Sequence, residues 1–289
     1  MSELAGSLWF QWEGHAGSLL GIALLQGLYL LGVGPLRERY GLSDGIEPRQ
    51  IATFTAGVVV IFVALTSPIH VLAENFLFSM HMLQHVLLTL VAPPLLILGT
   101  PDWLLRPLLR PNWAFRTARI ATNPLVTFAA FNMVFALWHF PALYDTSLTI
   151  EWMHAFEHAL MISTAVLVWW PITSMMPELP RLNYPLQMGY LFAMSVAQII
   201  VFGMITFARH PIYDFYINAP RVWGISPLAD QQIGAMIMKI GGGVLFLSII
   251  IYIFFKWYNS EEALRKADAE EHYGSDHGLD GPTLEDGYR

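Results

Sequence analysis

Between residues 14 and 257 the sequence returns repeatedly to apolar stretches of roughly 20 residues, the length an α-helix needs to cross a hydrocarbon core about 30 Å thick. In that medium every backbone N–H and C=O must find its partner within the chain, which a helix does for itself. Hydropathy and the Pro, Gly and charged breakers between the stretches predict helices near 14–34, 50–67, 75–98, 124–138, 154–172, 186–207 and 232–256. The expected fold class is therefore all-α: a polytopic membrane protein with one seven-helix bundle over residues 1–257 and an acidic, flexible extension over 258–289. Composition points the same way. With 55% hydrophobic and 13% charged residues and a mean hydropathy of +0.49, the chain lies outside the range of ordinary soluble domains. The net charge of −7 argues against a nucleic-acid partner.

Arginine and lysine positions orient the helices. The first loop carries Arg37, Arg39 and Arg49, the third Arg106, Arg110, Arg116 and Arg119, the fifth Arg181, and Lys256 closes the last helix. The loops at 68–74 and 139–153 hold no Lys or Arg, and the sixth holds only Arg209 and Arg221. The positive-inside rule then predicts an outer N-terminus and a cytoplasmic C-terminus. The first apolar run follows Glu3 and Glu13 instead of a basic flank, so it reads as a retained helix. After Trp257 acidic residues outnumber basic ones, and His272 and His277 read there as solvated side chains.

Cysteine is absent, so any metal must be held by His, Met or carboxylate. The other eight histidines all fall on the predicted outer side: His15, His70, His81, His85, His139, His154, His158 and His210. Because the orientation was set without reference to histidine, this one-sidedness is a functional signal. His81/His85 and His154/His158 are spaced i, i+4, so each pair shares a helical face with ring nitrogens one turn apart. The third and fifth helices both run inward, which places the two pairs at comparable depth. Packed face to face they make a four-imidazole metal site, with His139 on the short loop before Pro141 as a fifth ligand or gateway.

Several residues extend the pattern as auxiliary candidates. Glu151, His154, His158 and Met161 form one stripe on the fifth helix, Met82 adjoins His81, and Met236 and Lys239 share a stripe of the seventh with Gln232. Lys239 is expected to tune charge or pair with Asp145 or Glu151. Pro93 and Pro94 leave the carbonyls of Thr89 and Leu90 without donors, predicting a kink one turn below His85. An imidazole-rich site with nearby thioethers and no thiolate favours copper as the ion. Two other readings use the same pairs. A membrane haem protein needs axial ligands from two helices, which i, i+4 partners on one helix do not supply. An intramembrane zinc enzyme needs a carboxylate base, for which Glu151 and Glu157 are available. A retinal protein, suggested by Lys239, lacks a counter-ion in the third helix beyond Glu74.

The segment SMHMLQHVLLTLVAPPLLILGTP at 79–101 resembles the CtaG family of seven-helix bacterial cytochrome c oxidase assembly factors, as do LWHFPALYD at 137–145, MHAFEH at 153–158 with WWP at 169–171, RHPIYDFY at 209–216 and DQQIGAMIMK at 230–239. The resemblance implies a multi-pass protein of the bacterial plasma membrane, needed to make active haem–copper oxidase and acting in copper delivery or insertion, with no substrate bond made or broken. It implies an oxidase subunit as partner during assembly, with a soluble extracytoplasmic copper donor as a further candidate and the lipid bilayer as surroundings. The family's histidine positions map onto His81, His85, His139, His154 and His158; His15 and His70 stand outside that pattern.

Overall fold

The computed structural model describes residues 7–277, with side-chain surroundings through Glu270, and all regular structure among them is helical. In chain order the helices that frame the site are Ala16–Tyr40 (α1), Pro48–Thr66 (α2), the short Pro68–Asn75 (α3), Phe78–Gly99 (α4), Asp102–Leu109 (α5), Asn112–Ala121 (α6), Pro124–Trp138 (α7), Pro141–Thr149 (α8), Glu151–Thr173 (α9), Tyr184–Thr206 (α10), Asp214–Asn218 (α11) and Pro227–Glu270 (α12). Proline stands in the first helical positions of α2, α3, α7 and α8, where its missing N–H costs nothing.

Six of these helices, α1, α2, α4, α9, α10 and α12, are each long and apolar enough to cross a membrane. The fourth predicted span differs. α7 has only 15 residues and meets α6 at an angle of 64°, so a seventh crossing exists only if the bent pair counts as one. The break is built into the sequence: Asn123 caps α7 by accepting from the N–H groups of Leu125 and Val126, and Pro124 follows it. The last helix also differs, continuing past 256 to His277 through the first part of the stretch read as a flexible extension. Glu261, Glu262, Ala263, Leu264, Arg265 and Lys266 are good helix formers, and Glu262 pairs with Lys266 one turn on at 2.8 Å. Residues 278–289, and the side chains of His272 and His277, lie outside the described residues.

Where the sequence predicts a kink in the third span, the helix passes through a π-turn at Leu87–Val91, ahead of Pro93 and Pro94. Proline at 93 leaves the Thr89 carbonyl without its helical donor, and the indole N–H of Trp169 on α9 supplies one at 2.9 Å. The second helical neighbour of α4 is α2. A side chain at Gly99 would collide with the Phe54 backbone, and Tyr29 stacks on Phe54 at 3.7 Å while donating to the Gly99 carbonyl at 2.9 Å. On its third side α4 meets α12, where Gly234 leaves room for Phe78. Asp230 of α12 accepts from the backbone N–H groups of Phe78 and Ser79 at 2.7 and 3.1 Å, capping α4 from another helix. These contacts fix the depth and rotation of the helix that carries His81 and His85.

Candidate metal centre

α4 and α9 pack side by side, and their histidine pairs face one another. Within α4, His81 and His85 bring their Nε2 atoms to 2.9 Å. Across the interface the His81 ring stacks on His154 at 5.5 Å and lies 5.9 Å from His158, while His85 lies 5.5 Å from His158. His154 and His158 are 4.3 Å apart, centroid to centroid. His81, His154 and His158 each present a ring nitrogen within 4.8 Å of the others, as do His81 and His85 with a carboxylate oxygen of Glu157. His139, following α7, borders the group 6.2 Å from His85.

Hydrogen bonds orient the rings. His139 Nδ1 lies 2.7 Å from the Phe135 carbonyl, which can only accept, so Nδ1 carries the proton and Nε2 keeps its lone pair. His154 Nδ1 lies 3.1 Å from Glu74 Oε1, the carboxylate–histidine arrangement that leaves Nε2 as a ligand atom. The Nε2 atoms of His139, His154 and His158, and the Nδ1 atoms of His81 and His85, are buried without a hydrogen-bond partner. So are both carboxylate oxygens of Glu157, which is 0% exposed and lies 3.6 Å from His85 Nε2. Leaving one buried polar atom unpaired costs about 1–3 kcal/mol, so a cluster of seven is a heavy local burden unless something joins them. An ion held by His81, His154 and His158, or by His81, His85 and Glu157, would relieve part of it.

An aromatic wall borders the group. Tyr144 packs against His81 at 5.2 Å and against Tyr213 at 4.4 Å, and Tyr216 donates to the Ala73 carbonyl at 2.7 Å. The RHPIYDFY motif thus contributes two buried tyrosines, whereas its His210 is exposed.

The auxiliary candidates divide. Met82 and Met161 are buried in the apolar core, Met82 against Gly234. Met236 is 43% exposed. Lys239 does not reach Asp145 or Glu151: it donates to the Ser195 carbonyl at 2.8 Å, held there by a π-turn at Ile237–Gly241. Asp145 instead accepts from the backbone N–H groups of Asp214 and Phe215, fastening α11. Glu151 is exposed because the stripe it heads emerges at the end of α9, and its Oε1 lies 3.4 Å from His15 Nδ1.

Two acidic residues gain importance. Glu157 stands between His154 and His158 in an H-x-x-E-H order, which places it on the flank of the same helical face. Glu74 comes one turn after His70 on α3, and its Oε1 sits 3.3 Å from His70 Nδ1. Burial pushes the Glu74 carboxyl up, but the hydrogen bond from His154 and the charges of His70 and His154 outweigh it and hold the group below its ordinary range. Burial pushes the His70 imidazole down from its ordinary range, against the opposing pull of the Glu74 carboxylate. The i, i+4 spacing of His70 and Glu74 was a visible sequence signal; their contact with His154 and His15 depends on how α3 packs.

Fold and site together define a multi-span helical membrane protein with a buried imidazole cage between two of its helices. The chain belongs to the family of cytochrome c oxidase caa3 assembly factors, Caa3_CtaG, whose model matches residues 27–260. It is 28% identical over 284 residues to uncharacterized proteins of Mycobacterium bovis and Mycobacterium tuberculosis, a match covering 92% of this chain and 41% of each relative. An uncharacterized protein of Mycobacterium leprae is 25% identical over 232 residues, covering 72% of this chain and 34% of the relative. The chain thus spans less than half the length of these curated relatives. No solved structure matches it.

Proposed function

We propose that this chain binds copper through His81, His85, His154 and His158, with His139 beside them, and passes the ion to a subunit of a haem–copper oxidase during assembly. The observation that carries the reading is a buried group in which His81, His154 and His158 bring ligand nitrogens within 4.8 Å of one another and each of the five rings keeps one nitrogen that no protein group satisfies. Imidazole suits copper in either common oxidation state, and exchange among more imidazoles than one ion needs suits a carrier. A cation held away from water also needs a counter-charge nearby. Glu157, buried against His85, provides it. In this reading the bundle lies in a bacterial plasma membrane with the cage toward the extracytoplasmic face, where a soluble donor loads it, and the orientation rests on the arginine distribution.

The H-x-x-E-H order is also that of one class of zinc hydrolases, and this is the competing reading. Hydrolysis needs an open coordination position and a path for substrate. Glu157 and His85 have side chains 0% and 1% exposed, which suits storage of an ion better than turnover of a substrate. Haem is disfavoured because the four rings contact one another directly, leaving ion-sized gaps.

Elemental analysis of the full chain purified from copper-supplemented cells, alongside a His154→Ala/His158→Ala variant, tests the proposal. Copper is expected in the wild type and largely lost in the variant, with oxidase activity of the variant strain falling in parallel. A wild type without copper, a zinc-loaded wild type that cleaves peptides, or full oxidase activity in the variant would overturn it.

A further inference from the structure

A second group of metal-ligand side chains lies outside the imidazole cage. His15 precedes the first turn of α1, and the backbone just before it is fastened to the end of α2 by Glu13, whose N–H donates to the Thr66 carbonyl at 3.0 Å. That contact hangs His15 over α3. Its Nε2 lies 3.2 Å from Glu74 Oε2, and its ring meets His70 edge-on at 5.4 Å. His15, His70 and Glu74 each offer a ligand atom within 4.8 Å of the other two. His70 is 3% exposed, and its Nε2 is buried without a partner. Its Nδ1 is contacted both by the amide nitrogen of Gln84 at 3.2 Å and by Glu74 at 3.3 Å. One nitrogen cannot accept from the first and donate to the second, so the hydrogen bonding around His70 does not close with protein groups alone.

The two groups meet at one carboxylate. Oε1 of Glu74 faces His154 of the cage, and Oε2 faces His15. Side-chain exposure falls in the same order, from 46% at His15 through 20% at Glu74 and 11% at His154 to 1% at His85. An ion approaching from the medium therefore meets the outer group first and reaches the inner one through a residue common to both.

We propose that His15, His70 and Glu74 form a second metal site, a loading station for a divalent transition-metal ion, from which Glu74 hands the ion to His154. Two imidazoles and a carboxylate make a mixed nitrogen–oxygen donor set that suits borderline divalent ions such as Cu(II) or Zn(II), in contrast to the imidazole cage. No electron moves in the transfer: a bond from the ion to Glu74 or His70 breaks as one forms to His154 Nε2, the nitrogen left free while Nδ1 faces Glu74. The relay rests on the copper reading of the cage, whereas the outer site stands on its own ligands.

Titration of the purified full chain with Cu(II), followed by equilibrium dialysis and electron paramagnetic resonance, separates the possibilities. The wild type is expected to bind two classes of Cu(II), with nitrogen couplings from two imidazoles in one and from three or more in the other. His15→Ala/His70→Gln is expected to lose the first class and keep the second, with cage loading slowed at least tenfold. His15→Ala alone, a change at an exposed side chain, should weaken the first class at least tenfold without disturbing the fold. His81→Ala/His158→Ala should keep the first class and lose the second. A single class lost only in the cage variant overturns the outer site, and cage loading unchanged in the His15 and His70 variants overturns its role as a loading station; either result leaves the copper cage standing. One class lost only in the His15/His70 variant supports the outer site and removes the cage reading. Absence of Cu(II) from the wild type overturns both.

Discussion

The indole N–H of Trp169 on α9 donates to the main-chain oxygen of Thr89 on α4 at 2.9 Å, both residues being 2% exposed. Proline at 93 removes the donor that oxygen would have had, so one side chain repairs the defect in its neighbour's helix. The bond ties the two helices that carry the histidine pairs, one turn below His85. Trp169→Phe keeps most of the ring and deletes the donor, leaving a buried carbonyl unpaired at a cost of about 1–3 kcal/mol. Thermal unfolding of the detergent-purified protein should show that loss, and an unchanged midpoint would mean another group satisfies Thr89.

Asp230 on α12 holds the start of α4 through the backbone N–H groups of Phe78 and Ser79. An N-terminal cap of this kind contributes about 0.5–2 kcal/mol, and His81 lies within the first turn it secures. Asp230→Ala should therefore lower both the unfolding midpoint and copper affinity, whereas Asp230→Asn, which keeps an acceptor, should retain most of each. Equal losses in the two variants would show that charge, and not capping, is what matters.

Much of this was legible in the sequence because membrane helices announce themselves locally. Apolar length marks each span, and i, i+4 spacing alone puts His81 with His85 and His154 with His158 on common faces. Pro93 likewise announces a freed carbonyl at Thr89. What spacing does not carry is the partner across a helix interface. Trp169 as donor to Thr89, Asp230 as cap of α4 and Glu74 as the partner of His154 are separated in sequence by 80, 152 and 80 residues; they meet only through packing. Lys239 shows the converse error: it shares a stripe with Met236, yet a π-turn and the Ser195 carbonyl hold it away from the carboxylates it was expected to meet. The helix at 124–138 was legible at its observed bounds, but its bend of 64° against α6 was not, since hydropathy sees apolar length and not direction.

Glu157 is the only carboxylate grouped with His81 and His85 among the described residues, and neither of its oxygens has a hydrogen-bond partner. If it balances the charge of a bound cation, Glu157→Gln keeps the shape and removes the charge. Copper affinity is expected to fall about 10–100-fold, the range seen when groups supporting metal ligands are removed, with little change in the fold by circular dichroism. Competition with a chromogenic chelator reads this directly, and an affinity within threefold of wild type would exclude the charge-balancing role.

The sharpest distinction between a binding cage and an ordinary buried core comes from stability with and without metal. His158 is 7% exposed, with Nε2 unsatisfied and three other imidazoles around it. A histidine that existed to stabilise packing would cost several kcal/mol to replace. One that exists to bind an ion leaves a desolvated nitrogen idle in the metal-free protein, so His158→Leu should be neutral or stabilising there, by about 0–2 kcal/mol. Copper at a hundred times its dissociation constant should stabilise the wild type by about 2.7 kcal/mol through mass action. It should add much less to the variant. The order of the two proteins in a thermal scan is therefore expected to reverse between metal-free and copper-loaded samples. If instead His158→Leu is the less stable by the same margin in both, the imidazole serves the fold, and the orphaned nitrogens around it need another explanation.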